Sequence, residues 1–151
     1  MRLRSKAREV ALCLLYQVEI SKTDFHQAIQ GYLENYPQKQ EVIDFLSILI
    51  QGVISNINSI DSLIKKHVKN WEIDRMAVVD RNILRMGCFE LLFLEDVPPK
   101  VAINEAIELA KRFGDMDSPR FVNGILDKIY KTETKAAESD KFKDQESLNE
   151  R

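Results

Sequence analysis

The sequence predicts an all-α protein, a compact bundle of about seven helices. Apolar residues recur at three- and four-residue steps almost everywhere, and no segment of alternating period lasts more than a few residues. Helix breakers and caps fall in short connectors, so sequential helices should pack mostly antiparallel. At 151 residues and 44% hydrophobic content, the chain is one domain's worth. A domain of that length buries roughly 68–70% of its unfolded surface.

The first helix should run from about Ser5 to Ile20, with Ala7, Val10, Ala11, Leu14, Leu15 and Val18 facing inward. Asp24 caps the second, with Gln27 three residues on, and Phe25, Ala28, Ile29, Tyr32 and Leu33 form its stripe before Pro37 intervenes. The third carries Val42, Phe45, Leu46, Leu49, Ile50, Val53 and Ile57. A fourth follows Asn58-Ser59, uses Ile60, Leu63, Ile64 and Val68, and ends near Trp71. The fifth, Arg75 to Leu94, is apolar nearly all round and belongs in the middle of the bundle.

Pro98 and Pro99 stop any helix that would pass through them, so the sixth begins near Lys100. Its inward face is Ala102, Ile103, Ala106, Ile107, Ala110 and Phe113, and the alanine row lets a neighbouring helix approach closely. Lys111 and Arg112 suit the negative end of its dipole, and Gly114 can take a left-handed turn. Ser118-Pro119 restarts a helix, Ser as cap and Pro at the first position, with Val122, Ile125, Leu126 and Ile129 as its stripe. Asp115-Met116-Asp117 is left as a polar elbow. From Lys131 to Arg151 the stripe dissolves into KTETKAAESDKFKDQESLNER, with four apolar residues among twenty-one. The chain therefore divides into a helical domain over 1–130 and a charged, disordered tail over 131–151.

Several function classes find no support. No run of about 18 uncharged apolar residues exists and no signal-type block follows the start, so a cytoplasmic protein without a membrane span is expected. Cys13 and Cys88 sit in apolar helical stretches without CxxC spacing and should both be core residues, not metal ligands or a disulfide. Carboxylate pairs exist at Glu105/Glu108 and Asp80/Glu90, but neither His26 nor His67 has a Glu three residues before it, as a bundle di-metal site requires. The five glycines are scattered and form no phosphate-cradling loop. No metal, no cofactor and no catalytic residue is expected.

Charge is distributed unevenly. Arg2, Arg4, Lys6 and Arg8 place four positive and no negative charges in the first eight residues, leaving 18 basic and 24 acidic residues in the remainder of a chain whose net charge is −2. In a helix Arg4 and Arg8 share a face. Tyr16 lies about 80° around from Arg8, so its ring can lie beside the arginines. Phe121 follows the helix restart, in a first turn exposed enough to offer a ring. Arginines for phosphates and aromatic faces for unstacked bases are the ingredients of single-stranded RNA recognition.

VAINEAIELAKRFG followed by S-x-x-FVNGILD resembles the C-terminal signature of the NusB family of bacterial transcription antitermination factors. LRSKAREVALCLLY is similar to that family's opening helix, and RNILRMGCFELLF to its central one, so the resemblance spans about Arg2 to Tyr130. It implies two antiparallel helical subdomains and a non-enzymatic function. That function is binding of the single-stranded boxA element of ribosomal RNA transcripts together with NusE, a small-subunit ribosomal protein. The assembly joins RNA polymerase and other Nus factors and suppresses Rho-dependent termination in ribosomal RNA operons.

Residue by residue, Arg4, Arg8 and Tyr16 match the basic helix, with Lys6 between them, and Asp117 and Phe121 match the loop and the last helix. An acidic Asp117 would accept hydrogen bonds from base amino groups and so specify rather than attract; it could equally cap the last helix. Three or four neutralised phosphates give a log–log salt slope of only about −2 to −3. That modest term is why tight binding should need NusE. Some relatives homodimerise, which would cover the RNA surface. Two other readings are a helical protein–protein adaptor without RNA contact, and a stand-alone relative of the N-terminal domain of ribosomal RNA cytosine methyltransferases.

Overall fold

The structure is a computed structural model that describes residues 2–68 and 76–149, with side chains through Glu133. Seven helices follow in order: α1 (Leu3–Ser21), α2 (Phe25–Asn35), α3 (Gln40–Ser55), α4 (Ile57–His67), α5 (Val78–Phe93), α6 (Pro99–Phe113) and α7 (Ser118–Asn149). No strand occurs among the described residues. The expected end of the fourth helix near Trp71 and the start of the fifth at Arg75 lie outside the described residues.

α1 packs chiefly on α3 and also touches α2, while α5, α6 and α7 pack on one another; α5 also touches α1, α3 and α4 and so joins the two groups. Leu14, Leu46, Leu49, Ile50, Ile64, Leu84 and Leu126 are almost fully buried and form one continuous core. The alanine row works as expected: Ala102, Ala106 and Ala110 are buried between α6 and its neighbours. Asp24 caps α2 by accepting from the amides of His26 (3.1 Å) and Gln27 (3.3 Å).

Five expectations are corrected. Ile57 opens α4 rather than closing α3. Cys13 is exposed, because it lies on the flank of α1 away from Leu12 and Leu14; only Cys88 is a core residue, and burial pushes its thiol up to about 12. Phe113 is 38% exposed at the end of α6, with Leu109 buried in the position the stripe assigned to it. Gly114 has φ −90° and ψ −171°, an extended conformation. Glycine is needed there for space instead: a Cβ would lie 2.5 Å from the Ser118 side chain and 2.8 Å from the Ala110 carbonyl.

The fifth correction concerns the C-terminus. The backbone stays helical through Asn149 where composition predicts loss of order. A helix already nucleated by packed Val122, Leu126 and Ile129 propagates cheaply into a segment rich in Ala, Glu and Lys. Lys131 reaches back to Asp127 at 2.9 Å, an i,i+4 pair that favours this.

α5 differs from its apolar reading in an instructive way. Every residue from Asp80 to Glu90 is buried, and five of them are polar or charged. Arg81 donates to Glu19 at 2.5 Å, Asn82 to Glu19 at 3.0 Å, and Arg85 grips Asp61 through two bonds of 2.8 and 2.9 Å. Burial pushes the Glu19 carboxyl up, but the bonds from Asn82 and Arg81 and the charges of Arg81 and Arg85 hold it below its ordinary value. These bonds tie α5 to α1 and α4 in one register.

Candidate nucleic-acid interface

α1 begins with charges of the wrong sign. Its first turn contains no acidic residue, its N-cap Arg2 makes no side-chain cap bond, and Arg4, Lys6 and Arg8 follow. Cations near a helix N-terminus oppose the dipole, by a few tenths of a kcal/mol each at an exposed site. Stability of α1 alone gives no reason for this arrangement.

The four charges divide sharply. Arg8 is 2% exposed. Its Nε donates to both oxygens of Glu90 at 2.9 and 3.1 Å, and its Nη2 donates to Glu90 Oε1 at 2.5 Å. Glu105 stands 3.6 Å away on the other side. Burial pushes the Glu90 carboxyl above its ordinary value, against the pull of the Arg8 bonds and charge. The Arg8 guanidinium, expected at a phosphate, is engaged inside the protein in this structure, where it ties α1 to α5.

Arg4, one turn earlier, faces outward. It donates to Asp96 at 2.8 Å with both side chains largely in solvent. The Phe45 ring is near both arginines, its centroid 4.5 Å from the Arg4 guanidinium and 5.1 Å from that of Arg8. Lys6 is half-buried, Arg2 is exposed, and Tyr16 is 44% exposed farther along the helix.

Beside α1 runs a groove of about 440 Å³ lined by Arg2, Ser5 and Glu9 from α1 and by Glu105, Lys111 and Arg112 from α6. Ser5 donates to Glu105 at 2.7 Å, Arg112 pairs with Glu9, and Lys111 donates to Glu108 at 3.3 Å. The Arg112 guanidinium lies 5.5 Å from the exposed Phe113 ring. Sequence reading assigned Lys111 and Arg112 to the helix dipole and Phe113 to the core. Their exposure is the signal it lacked, since a stripe does not reveal where a packed helix leaves its neighbours.

α6 delivers the chain into the elbow. Asp115, not Ser118 or Asp117, supplies the cap: its Oδ1 accepts from the Asp117 amide (2.9 Å), the Ser118 amide (3.1 Å) and the Ser118 hydroxyl (3.2 Å). Asp117 is left exposed with its carboxylate outside that cap, and Met116 is 95% exposed at the tip. Phe121 is half-buried. It shares a cavity of about 320 Å³ with Asp117, Asp115, Ser118, Met76 and Asp80. Burial and, less strongly, the nearby Asp115 charge push the Asp80 carboxyl up, and its Oδ1 has no hydrogen-bond partner among the described residues. Asp117 and Phe121 are therefore brought together, as the sequence reading requires. Arg4 and Tyr16 do not line this cavity; Arg4 lines a separate one with Val97 and Pro98.

Among the described residues no cluster of three or more His, Cys, Asp or Glu could hold a metal ion, and no single helix is long and apolar enough to cross a membrane. Fold and surface together define a small helical bundle with exposed cationic and aromatic side chains along α1 and at the end of α6. The chain belongs to the NusB family: the sequence model of that family matches residues 5–131. It is 47% identical over 126 residues to the transcription antitermination protein NusB of Bacillus licheniformis, covering 83% of this chain and 95% of that one. It is likewise 47% identical over 130 residues to its namesake in Syntrophus aciditrophicus, covering 86% and 81%. Among solved structures, T. maritima NusB superposes with a TM-score of 0.77 at 40% identity, covering 85% and 90%. A chain from the complex of antitermination factors NusB and NusE with double-stranded RNA gives 0.79 at 32% identity, covering 87% and 98%.

Proposed function

We propose that this protein is a transcription antitermination factor that binds the boxA element of ribosomal RNA transcripts together with NusE. Within the RNA polymerase complex it helps the enzyme avoid Rho-dependent termination. The observation that carries the reading is the reversed charge at the start of α1, where Arg2, Arg4 and Lys6 sit against the helix dipole with no acidic residue in the first turn. An anionic partner removes that cost. Tyr16, Phe113 and Phe121 supply aromatic faces on which unstacked bases can lie, each worth roughly 1–3 kcal/mol. Asp117 offers an acceptor to a base amino group. Residues 1–130 act as the binding unit, in the cytoplasm, without catalysing a reaction.

The test is binding of labelled single-stranded boxA RNA with and without NusE across a salt series. The expected result is weak binding alone, much tighter binding with NusE, and affinity that falls as salt rises. Absence of binding under both conditions would leave a protein–protein adaptor. Sedimentation of the free protein would report whether a homodimer hides the face.

A further inference from the structure

Arg4 and every cation lining the α1–α6 groove for which a partner is seen are held by a carboxylate of the protein itself. Arg4 is paired with Asp96 at 2.8 Å, Arg112 with Glu9, and Lys111 with Glu108 at 3.3 Å. Arg2 lines both this groove and a smaller cavity of about 130 Å³ that it shares with Arg4, Val97 and Pro98. The charge available to a phosphate is therefore neutralised locally before any ligand arrives. The two strongest holds differ from the buried pair at Arg8 in one decisive respect. The Arg4 and Arg112 side chains are 49% and 57% exposed, and that of Asp96 is 62% exposed. The Arg4–Asp96 pair therefore opens with both charges still in water, whereas Glu9, whose side chain is 14% exposed, gives up Arg112 less readily.

We infer that Asp96 and Glu9 are internal competitors of the RNA: each occupies the guanidinium that a phosphate takes over on binding, and together they limit affinity and lower its salt dependence. This rests on the RNA-binding reading above. Geometry favours an exchange over simple addition. Arg4 stacks over the Phe45 ring at 4.5 Å, which holds its guanidinium in place while the anion opposite it changes. Asp96 belongs to the short connector between α5 and α6, so its carboxylate can turn to solvent without disturbing a helix. A phosphate replacing it releases a counterion from the RNA. The freed carboxylate then recovers one from solution, so the net release per exchanged contact is smaller than the usual ~0.7.

Asp96→Asn and Glu9→Gln should each tighten binding of single-stranded RNA at low salt by about two- to fivefold, the range commanded by an exposed ion pair. Each should also steepen the log–log salt slope by up to about 0.7. Glu95→Gln is the control, since Glu95 is an exposed neighbour of Asp96 for which no ion pair is seen. It removes the same charge and should change affinity much less. Arg4→Gln combined with Asp96→Asn should lose the gain made by Asp96→Asn alone. If Glu95→Gln tightens binding as much as Asp96→Asn, the effect is net charge and the competition is overturned. It is overturned equally if Asp96→Asn, folded by circular dichroism, binds no tighter than the parent. A parent that binds no RNA with or without NusE overturns the RNA-binding reading itself, an outcome distinct from both.

Discussion

Two arginines one turn apart on the same helix meet opposite fates. Arg8 is sealed against Glu90 in the core, with three bonds to one carboxylate, whereas Arg4 reaches through solvent to a single oxygen of Asp96. The buried arrangement extends around α5 to Glu19, Asp61, Arg81 and Arg85 and fixes how the helices register. The exposed arrangement runs down the groove to Glu9 and Arg112 and leaves charge that can be exchanged. Identical chemistry thus serves architecture where water is excluded and recognition where it is not.

That contrast breaks most visibly in the core. Glu90→Ala strands the Arg8 guanidinium without its partner and should cost about 3–5 kcal/mol in urea unfolding. Replacing both residues by Met should recover much of the loss. If Glu90→Ala is as stable as the parent, the pair at Arg8 is no firmer than the one at Arg4 and the distinction fails.

A smaller effect should follow pH. Glu19 is held below its ordinary value of 4.5 when folded, so its contribution is present above that value and is lost as pH falls through the lower folded value. Glu19→Gln should therefore reduce stability at neutral pH and flatten the acid limb below about pH 4.5, read as melting temperature against pH. An unchanged acid limb would remove Glu19 from the network.

The least effect on the fold is expected at the surface. Arg4→Gln should leave the melting temperature unchanged while weakening RNA binding and making the salt slope shallower by less than about 0.7. A large loss of stability in this variant would place Arg4 with the architecture instead.

The helices were legible because burial imposes a 3.6-residue period on whatever sequence forms them, and Asp24, Pro98 and Ser118-Pro119 mark their ends. Phe121 and Asp117 were legible as a pair because four residues separate them across one turn. Arg8 was not, since its partner lies 82 positions away and no local pattern distinguishes a buried arginine from a free one. Gly114 was misread for a related reason: a glycine between helices signals either a left-handed turn or a tight contact, and only the approach of Ser118 decides which. Lys111 and Arg112 were assigned to helix termination, which explains their types but not that they line an open groove.

Phe45 belongs to both regions at once, its ring centroid 4.5 Å from the exchangeable Arg4 guanidinium and 5.1 Å from the buried one of Arg8. A fluorine placed on that ring would act as a two-channel reporter. Arrival of an anion at Arg4 would shift its resonance while the protein stays folded, and loosening of the Arg8 pair would broaden it without any ligand. One nucleus could then follow occupancy and integrity in the same sample.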